Sequence, residues 1–472
     1  MNDSDRGSSG IEEPGAPRSG LFPNHEWNVT EVEPTRLLAA WTDWEPPAPD
    51  PLLRSLGKAV GEPLEVLEEK ESPADRIAWD LELVGRRTRR RHDLYCQARP
   101  DWLERATRHP AAGRCRWVVG LQTQLDPTDP VASYTRLLRT VARAMPWAPL
   151  VYDSGTKRTL DRGSLDDLLV HGNLLVPDSW LWNVDIVRDD TVAGGLAWVH
   201  SHGLARCGRL EIEALGVPGH LVVGAVKLTD LVAGWIMDEP TPTRGAAFSV
   251  IRDCEVVLQP WEMSAWRLHP SAPGSTAHRC MACGPGHVTG RAAICEAADG
   301  GGGSGVSLPV RTALELAQAS PGSHVVSRAA RRRRRASARA MWPEFERTFR
   351  AVRSGPPPAS MPLDGAGSGP RGPLEPASPE SFRVCVAPGT GQPGDCAPER
   401  PLWLEVDELS ERSLRGRWLE PEPGPSSPEA ANSERIEVGL DMVEDWAVVT
   451  EDAELGPVDV GALRLLREIR CG

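Results

Sequence analysis

The sequence predicts an α+β protein in two domains, an N-terminal mixed sheet with helices and a smaller strand-rich C-terminal domain. Short segments that alternate apolar and polar residues recur along the chain, the pattern of half-buried strands. Between them stand stretches of helical periodicity, the clearest being Val131, Tyr134, Leu138, Val141 and Met145. The length of 472 residues exceeds one typical core, at roughly 100–200 residues per domain.

The elements follow in order. Residues 1–33 read as a disordered tail of Ser, Gly, Pro and acid, and 34–265 as the N-terminal α+β domain. Within it, Ile77 to Leu83 alternates as a strand, Arg86 to Arg91 is a basic hairpin connection, and Asp93 to Cys96 returns. A βαβ-like unit comes next. Trp117 to Leu121 is its first strand, Asp129-Pro130 starts its helix, and Leu150 to Asp153 is its second strand. Ser164 with Asp167 is expected to cap a short helix. The centre of the chain is three alternating segments, Trp182 to Val187, Leu196 to Gly203 and Leu210 to Leu215. A helix from Thr229-Asp230 and strands at Phe248–Ile251 and Glu255–Leu258 close this domain.

Residues 266–325 read as a linker with a short helix near Ala313–Ala317, and 326–353 as a helical segment that Pro343 keeps from being regular. Residues 354–380 are a Pro/Gly linker. The small C-terminal domain, 381–472, shows strands at Phe382–Val386, Leu402–Val406, Leu414–Leu419, Ile436–Val438 and Trp446–Val449.

Composition narrows the function classes. The net charge of −13 argues against general affinity for nucleic acid or an anionic membrane. Lysine occurs only at Lys58, Lys70, Lys157 and Lys227. With abundant Ala, Gly and Pro, this is the codon bias of a GC-rich bacterial genome. Ten cysteines in so long a chain are too sparse for a disulfide scaffold, so reduced thiols and a cytoplasmic location are expected. Met1 to Asp5 lacks the basic-then-apolar order of a leader, and no apolar run approaches the ~18 residues of a membrane span.

Trp342-Pro343-Glu344-Phe345, Phe349, Phe382-Arg383-Val384, Trp403-Leu404-Glu405-Val406, Gly416 and Val443-Glu444-Asp445-Trp446 form a set. On these residues the C-terminal third resembles an uncharacterised bacterial family, domain of unknown function 2314. That family shows W-P-x-F, E-x-x-W-[LV]-x-V, G-x-L-x-N and I-x-D-W. This chain departs at Arg400, at Trp418 and Glu420, and at Ser433-Glu434. Trp198 to Leu204 and Leu210 to Glu213 are similar to the uncharacterised partner domain found upstream in such proteins. The resemblance implies two domains and supplies no activity.

Four groups are candidate sites. His200, His202 and Glu213 could hold a metal, since His-x-His on a strand presents two imidazoles on one face. Their spacing resembles the H-[ST]-H-x7-S-x2-D motif of JAMM-type zinc peptidases, with Leu210 in place of the Ser and Glu213 in place of the Asp. As a plain alternative, the two imidazoles bond backbone near the Gly203 turn. Cys280, Cys283 and His287 form a second metal candidate around a lone C-x-x-C, against a loop with ordinary thiols. Trp403, Trp418, Asp445 and Trp446 could line a binding groove, although aromatics alternating on strands more often serve the core. Arg331 to Arg335 could grip phosphates, but no aromatic residues are interleaved for base stacking, and a solvated helix face explains them better.

No P-loop, G-x-G-x-x-G, G-x-S-x-G or H-E-x-x-H is present. The sequence therefore points to a non-enzymatic cytoplasmic binding or interaction protein with a protein partner. It suggests no cofactor, with zinc as the possible exception. A metal-dependent hydrolase centred on His200 and His202 is the alternative, and RNA binding through Arg331–Arg335 the weaker one.

Overall fold

The first sheet begins at β1 (Thr35–Trp41). Helix α1 (Pro49–Val60) follows, entered on a proline and closed by Gly61 in the left-handed region (φ 84), whose N–H bonds Gly57 O. Then come β2 (Leu64–Glu69), β3 (Ile77–Gly85), β4 (Arg91–Ala98), α2 (Asp101–Thr107), α3 (Pro110–Arg114) and β5 (Trp117–Thr123). Helix α4 (Pro130–Ala144) leads to β6 (Leu150–Asp153), β7 (Arg158–Asp161) and α5 (Arg162–Val170). The structure is a computed structural model that describes residues 27, 32–70, 76–107, 109–172, 174–189, 195–252, 254–275, 290–296, 310–319, 327–354, 381–386, 402–410, 412–419, 435–450, 454–457, 463 and 466.

Helix α4 starts as its sequence predicts, with Asp129 accepting the Ala132 N–H at 3.1 Å and Pro130 in the first turn. The five periodic residues from Val131 to Met145 are all buried, each worth roughly 1.5–3 kcal/mol if fully removed from water. The βαβ expectation holds with one difference. The two strands flank β1, which pairs antiparallel with both. The sheet order is β2-β3-β4-β5-β1-β6-β7. Helices cover both faces. Leu37, Ala39, Val119 and Leu121 share a core cluster with residues of α1 and α4, while Leu38, Ala40, Val118 and Tyr152 cluster with residues of α2 and α3. Ser164 is not the cap of α5. Asp161 is, accepting the Ser164 N–H at 2.7 Å, so the helix starts earlier than expected.

The second sheet holds β8 (Asn183–Asp189), β9 (Leu196–His202) and β10 (Glu211–Pro218), followed by α6 (Val222–Asp238). Next are β11 (Ala247–Ile251), β12 (Cys254–Pro260), α7 (Trp261–Ala265), β13 (Arg291–Glu296) and α8 (Arg311–Ala319). Its order is β11-β12-β13-β10-β9-β8, mixed because β10 and β13 run parallel. The stretch expected to be one N-terminal mixed sheet thus carries two sheets. β13, from the expected linker 266–325, lies between β10 and β12.

Helix α6 begins at Val222 rather than at Thr229, because it continues a 3-10 turn at Gly219–Leu221 and uses no polar side-chain cap. From that turn, Gly219–Asp238 spans 20 residues with mean hydropathy 1.4, long and apolar enough to cross a membrane, which the sequence reading did not anticipate. Its most apolar window is 56% buried, and α6 packs on β9, β10 and α8. Gly224 permits the close approach of α8, since a Cβ there would stand 2.1 Å from Leu314 O.

Helices α9 (Arg328–Ala340) and α10 (Trp342–Ser354) replace the single irregular helix expected, and Pro343 sits in the first turn of α10, where no N–H is needed. The third sheet comprises β14 (Ser381–Val386), β15 (Leu402–Leu409), β16 (Ser413–Trp418), β17 (Ile436–Gly439), β18 (Val443–Val449) and β19 (Glu454–Leu455). It runs β17-β16-β15-β14-β18-β19, antiparallel throughout.

One cluster of buried apolar side chains extends from Trp27 through all three sheets to Leu463. The fold is α+β. Trp27, within the expected tail, is 6% exposed, and its Nε1 donates to Pro242 O at 2.9 Å. The rest of that tail to residue 31, the Gly-rich stretch 300–305 and residues 355–380 lie outside the described residues.

Candidate metal centre

Strands β8, β9 and β10 bring the titratable groups together by register. Asp185 pairs with His200, and His200 with Glu213, while Asn183 pairs with His202. Paired residues share a face, so all five backbone positions face one side of the second sheet. Trp198 shares that face and clusters with Trp261 of α7.

His200 and His202 are 1% and 5% exposed. The His200 ring stacks on Trp198 at 4.0 Å and 22°, and meets the His202 ring edge-on at 4.6 Å. Asp185 Oδ1 accepts from Asn183 Nδ2 at 2.8 Å. Its Oδ2 accepts from the Lys157 ammonium and lies 3.3 Å from His202 Nε2. Ligand atoms of Asp185, His200 and His202 lie within 4.8 Å of one another. The His202–Asp185 separation already matches the edge of a tetrahedral zinc site, roughly 3.3 Å for bonds near 2.0–2.1 Å.

The electrostatics suit a ligand set. Burial pushes the His200 imidazole down to about 2, helped by the charges of His202 and Arg291, so it is neutral at physiological pH with a nitrogen lone pair to offer. Burial acts to raise the Asp185 carboxyl, but His202 and Lys157 outweigh it and hold the group well below the usual carboxylate range.

Glu213 occupies the expected backbone position, but its carboxylate is turned to other work. Oε2 accepts from Trp198 Nε1, and Oε1 accepts from Arg291 Nε at 2.5 Å. The Arg291 guanidinium lies 5.2 Å from the Trp198 ring centre and 4.7 Å from that of Trp261. Burial raises the Glu213 carboxyl despite Arg291. By geometry it is Asp185, and not Glu213, that groups with His200 and His202. Glu211 is also committed. It accepts from Ser201 Oγ at 2.6 Å, Gly203 N at 2.8 Å and Ala205 N at 3.0 Å, fastening the turn after His202. Gly203 (φ 108) is required in that turn, since a Cβ would come within 2.5 Å of Leu181 O.

Sequence reasoning missed Asp185, Asn183, Lys157 and Arg291. The available signal was Asn183-x-Asp185 one strand before His200-x-His202, both at period two.

The other candidates separate. Cys280, Cys283 and His287 lie outside the described residues. Trp446 is 1% exposed, its Nε1 donates to Ala338 O at 3.0 Å, and its ring lies 5.1 Å from Phe345, so it is core. Trp403 and Asp445 both pair with Cys385 and belong to the opposite face. Asp445 lines a cavity of about 250 Å³ with Trp235 and Arg334. The backbone of Trp418 pairs with Leu404, and its side chain lies outside the described residues. In the arginine run, Arg333 bonds Asp178 and Asp238, and Arg335 bonds Glu444.

No curated protein and no solved structure shows a significant match to this chain. A family model matches the centre of the chain, and its family number differs from the resemblance drawn for the C-terminal third. Residues 184–291, from β8 to the first residue of β13 and so including Asp185, His200, His202, Glu213 and Arg291, match a family model described as protein of unknown function (DUF4026), C-terminal.

Proposed function

We propose that this is a non-enzymatic cytoplasmic binding protein whose second sheet holds a divalent transition-metal ion, zinc in the first instance, through Asp185, His200 and His202. The observation that carries the reading is the convergence of three ligand atoms within 4.8 Å at the seam of three strands. Two buried imidazoles and one carboxylate are a zinc-type donor set. The C-terminal strands stay assigned to domain of unknown function 2314 as part of the same proposal.

One observation favours binding over hydrolysis. Glu213 and Glu211, the neighbouring carboxylates on β10, are already engaged in holding Arg291 and the Gly203 turn. Arg333 and Arg335 likewise serve internal ion pairs, which weighs against the RNA reading.

The test is elemental analysis of untagged protein beside a His200→Gln/His202→Gln variant shown by circular dichroism to be folded. About one zinc per chain, lost in the variant, is expected. Equal zinc in both points instead to Cys280 and Cys283. Absence of zinc from wild type loaded with excess zinc sulfate and desalted overturns the reading.

A further inference from the structure

The Lys157 ammonium occupies one of the donor atoms that an ion needs. Asp185 Oδ1 is held by Asn183, and Oδ2 is shared between Lys157 Nζ and His202 Nε2. An ion drawn in by His200 and His202 can take a remaining lone pair of Asp185. A divalent charge and an ammonium then share one carboxylate, and their repulsion opposes binding.

From this we infer that Lys157 is an internal competitor for the ion, so that metal occupancy and the Lys157–Asp185 bridge weaken one another. The inference rests on the metal reading above and adds its regulation. The bridge crosses between sheets, since Lys157 belongs to the turn joining β6 and β7 of the first sheet and Asp185 to β8 of the second.

The turn holds its backbone while the side chain is free to leave. Gly155 N donates to Asp153 Oδ1 at 3.0 Å and Thr156 Oγ1 to Asp153 Oδ2 at 3.0 Å. Lys157 itself stands at φ 55, an unusual conformation for a residue with a side chain. Its side chain is 40% exposed, against 2% for Arg206, the neighbouring cation across the same seam. The released ammonium therefore has water to enter. A single-point ammonium on a flexible stem gives up a carboxylate oxygen more readily than a bidentate guanidinium. In a chain with only four lysines, this position carries one of them.

Without the ion, Lys157 neutralises Asp185 beside the two imidazoles. With the ion, Asp185 turns to the metal and one tie between the first and second sheets opens. Coupling of this kind is reciprocal, so weakening the bridge tightens the metal.

The experiment measures zinc affinity of the full chain by chelator competition at pH 7.5, for wild type, Lys157→Met and Lys157→Gln. Both variants are expected to bind about 10- to 100-fold tighter, the usual scale for a residue that touches a metal ligand. Acylation of Lys157 by an amine-reactive reagent is expected to speed up on adding zinc to wild type. Equal affinities in all three proteins overturn the inference while the metal reading stands. Binding by none of them overturns the metal reading itself. Unchanged Lys157 acylation in zinc-saturated wild type overturns the opening of the bridge between sheets.

Discussion

Arg206 and Asp153 form an ion pair at 2.8 Å with side chains only 2% and 0% exposed, one from the turn after β9 and the other from the end of β6. The pair joins the second sheet to the first. Asp153 also accepts from Tyr134 Oη at 2.6 Å, and Arg206 donates to Leu181 O at 3.1 Å and Trp180 O at 3.2 Å. Burial alone would lower the Arg206 pKa, but the Asp153 charge outweighs it and the guanidinium stays protonated. Asp153→Asn or Arg206→Met leaves one charge buried without its partner. Each is expected to cost about 3–5 kcal/mol in urea unfolding. The double variant should lose clearly less than the sum. Additive losses would show that the pair is not the coupling.

The exchange of Glu213 for Asp185 can be tested directly. Asp185→Asn removes a proposed ligand and should abolish zinc retention. Glu213→Gln should retain zinc, because the carboxylate faces Arg291 and Trp198. Its expected effect is on stability, since Arg291 then stands buried without a counter-charge. Zinc lost in Glu213→Gln and kept in Asp185→Asn would restore the ligand set read from sequence.

That pair of residues also shows where sequence reading stops. Alternation made β3, β12 and β14 legible, because one face of each is apolar and period two is local information. β13 was missed. Ala292, Ala293, Ile294 and Cys295 are all buried, so the strand shows no alternation. The start of α6 was missed because no side chain caps it. Asp185 was missed because metal motifs are read at fixed spacing along one segment, whereas Asp185 reaches His200 through strand register. Glu213 reaches that same row, and it is Arg291, 78 residues further on, that claims its carboxylate. Long-range competition of this kind leaves no mark on local spacing.

A pH dependence follows from His92. Burial, with the Arg90 charge, pushes its imidazole down from 6.5 to about 4 against the smaller pull of Glu62 and Asp93. The folded state therefore holds the neutral ring. As pH falls below 6.5 the unfolded chain takes up the proton first, so stability is full above 6.5 and declines until the pH reaches about 4. The loss attributable to this residue is about 3 kcal/mol over that window. His200 acts with the same sign and over a wider range, its imidazole being held near 2. Urea midpoints at pH 7.5 and 4.5 should converge in a His92→Gln variant relative to wild type. An unchanged difference would remove His92 from the account.

The arginine run separates fasteners from surface charge. Arg333 of α9 donates to Asp178 Oδ1 at 2.8 Å and to Asp238 Oδ1 at 2.7 Å, joining α9 to the end of α6 and to the turn before β8. The Asp238 side chain is 5% exposed and also accepts from Ser327 Oγ, so it cannot turn to water when its cation is removed. Burial would lower the Arg333 pKa, but Asp178 and Asp238 raise it on balance, and the cation is permanent. Arg333→Gln should therefore cost about 3 kcal/mol or more, read as a lower melting temperature. Arg332 and Arg334 are exposed on the same helix. Their Gln variants should stay within about 0.5 kcal/mol of wild type. If instead all three variants melt with wild type while RNA affinity falls in each, the run is a nucleic-acid surface and its ion pairs are incidental.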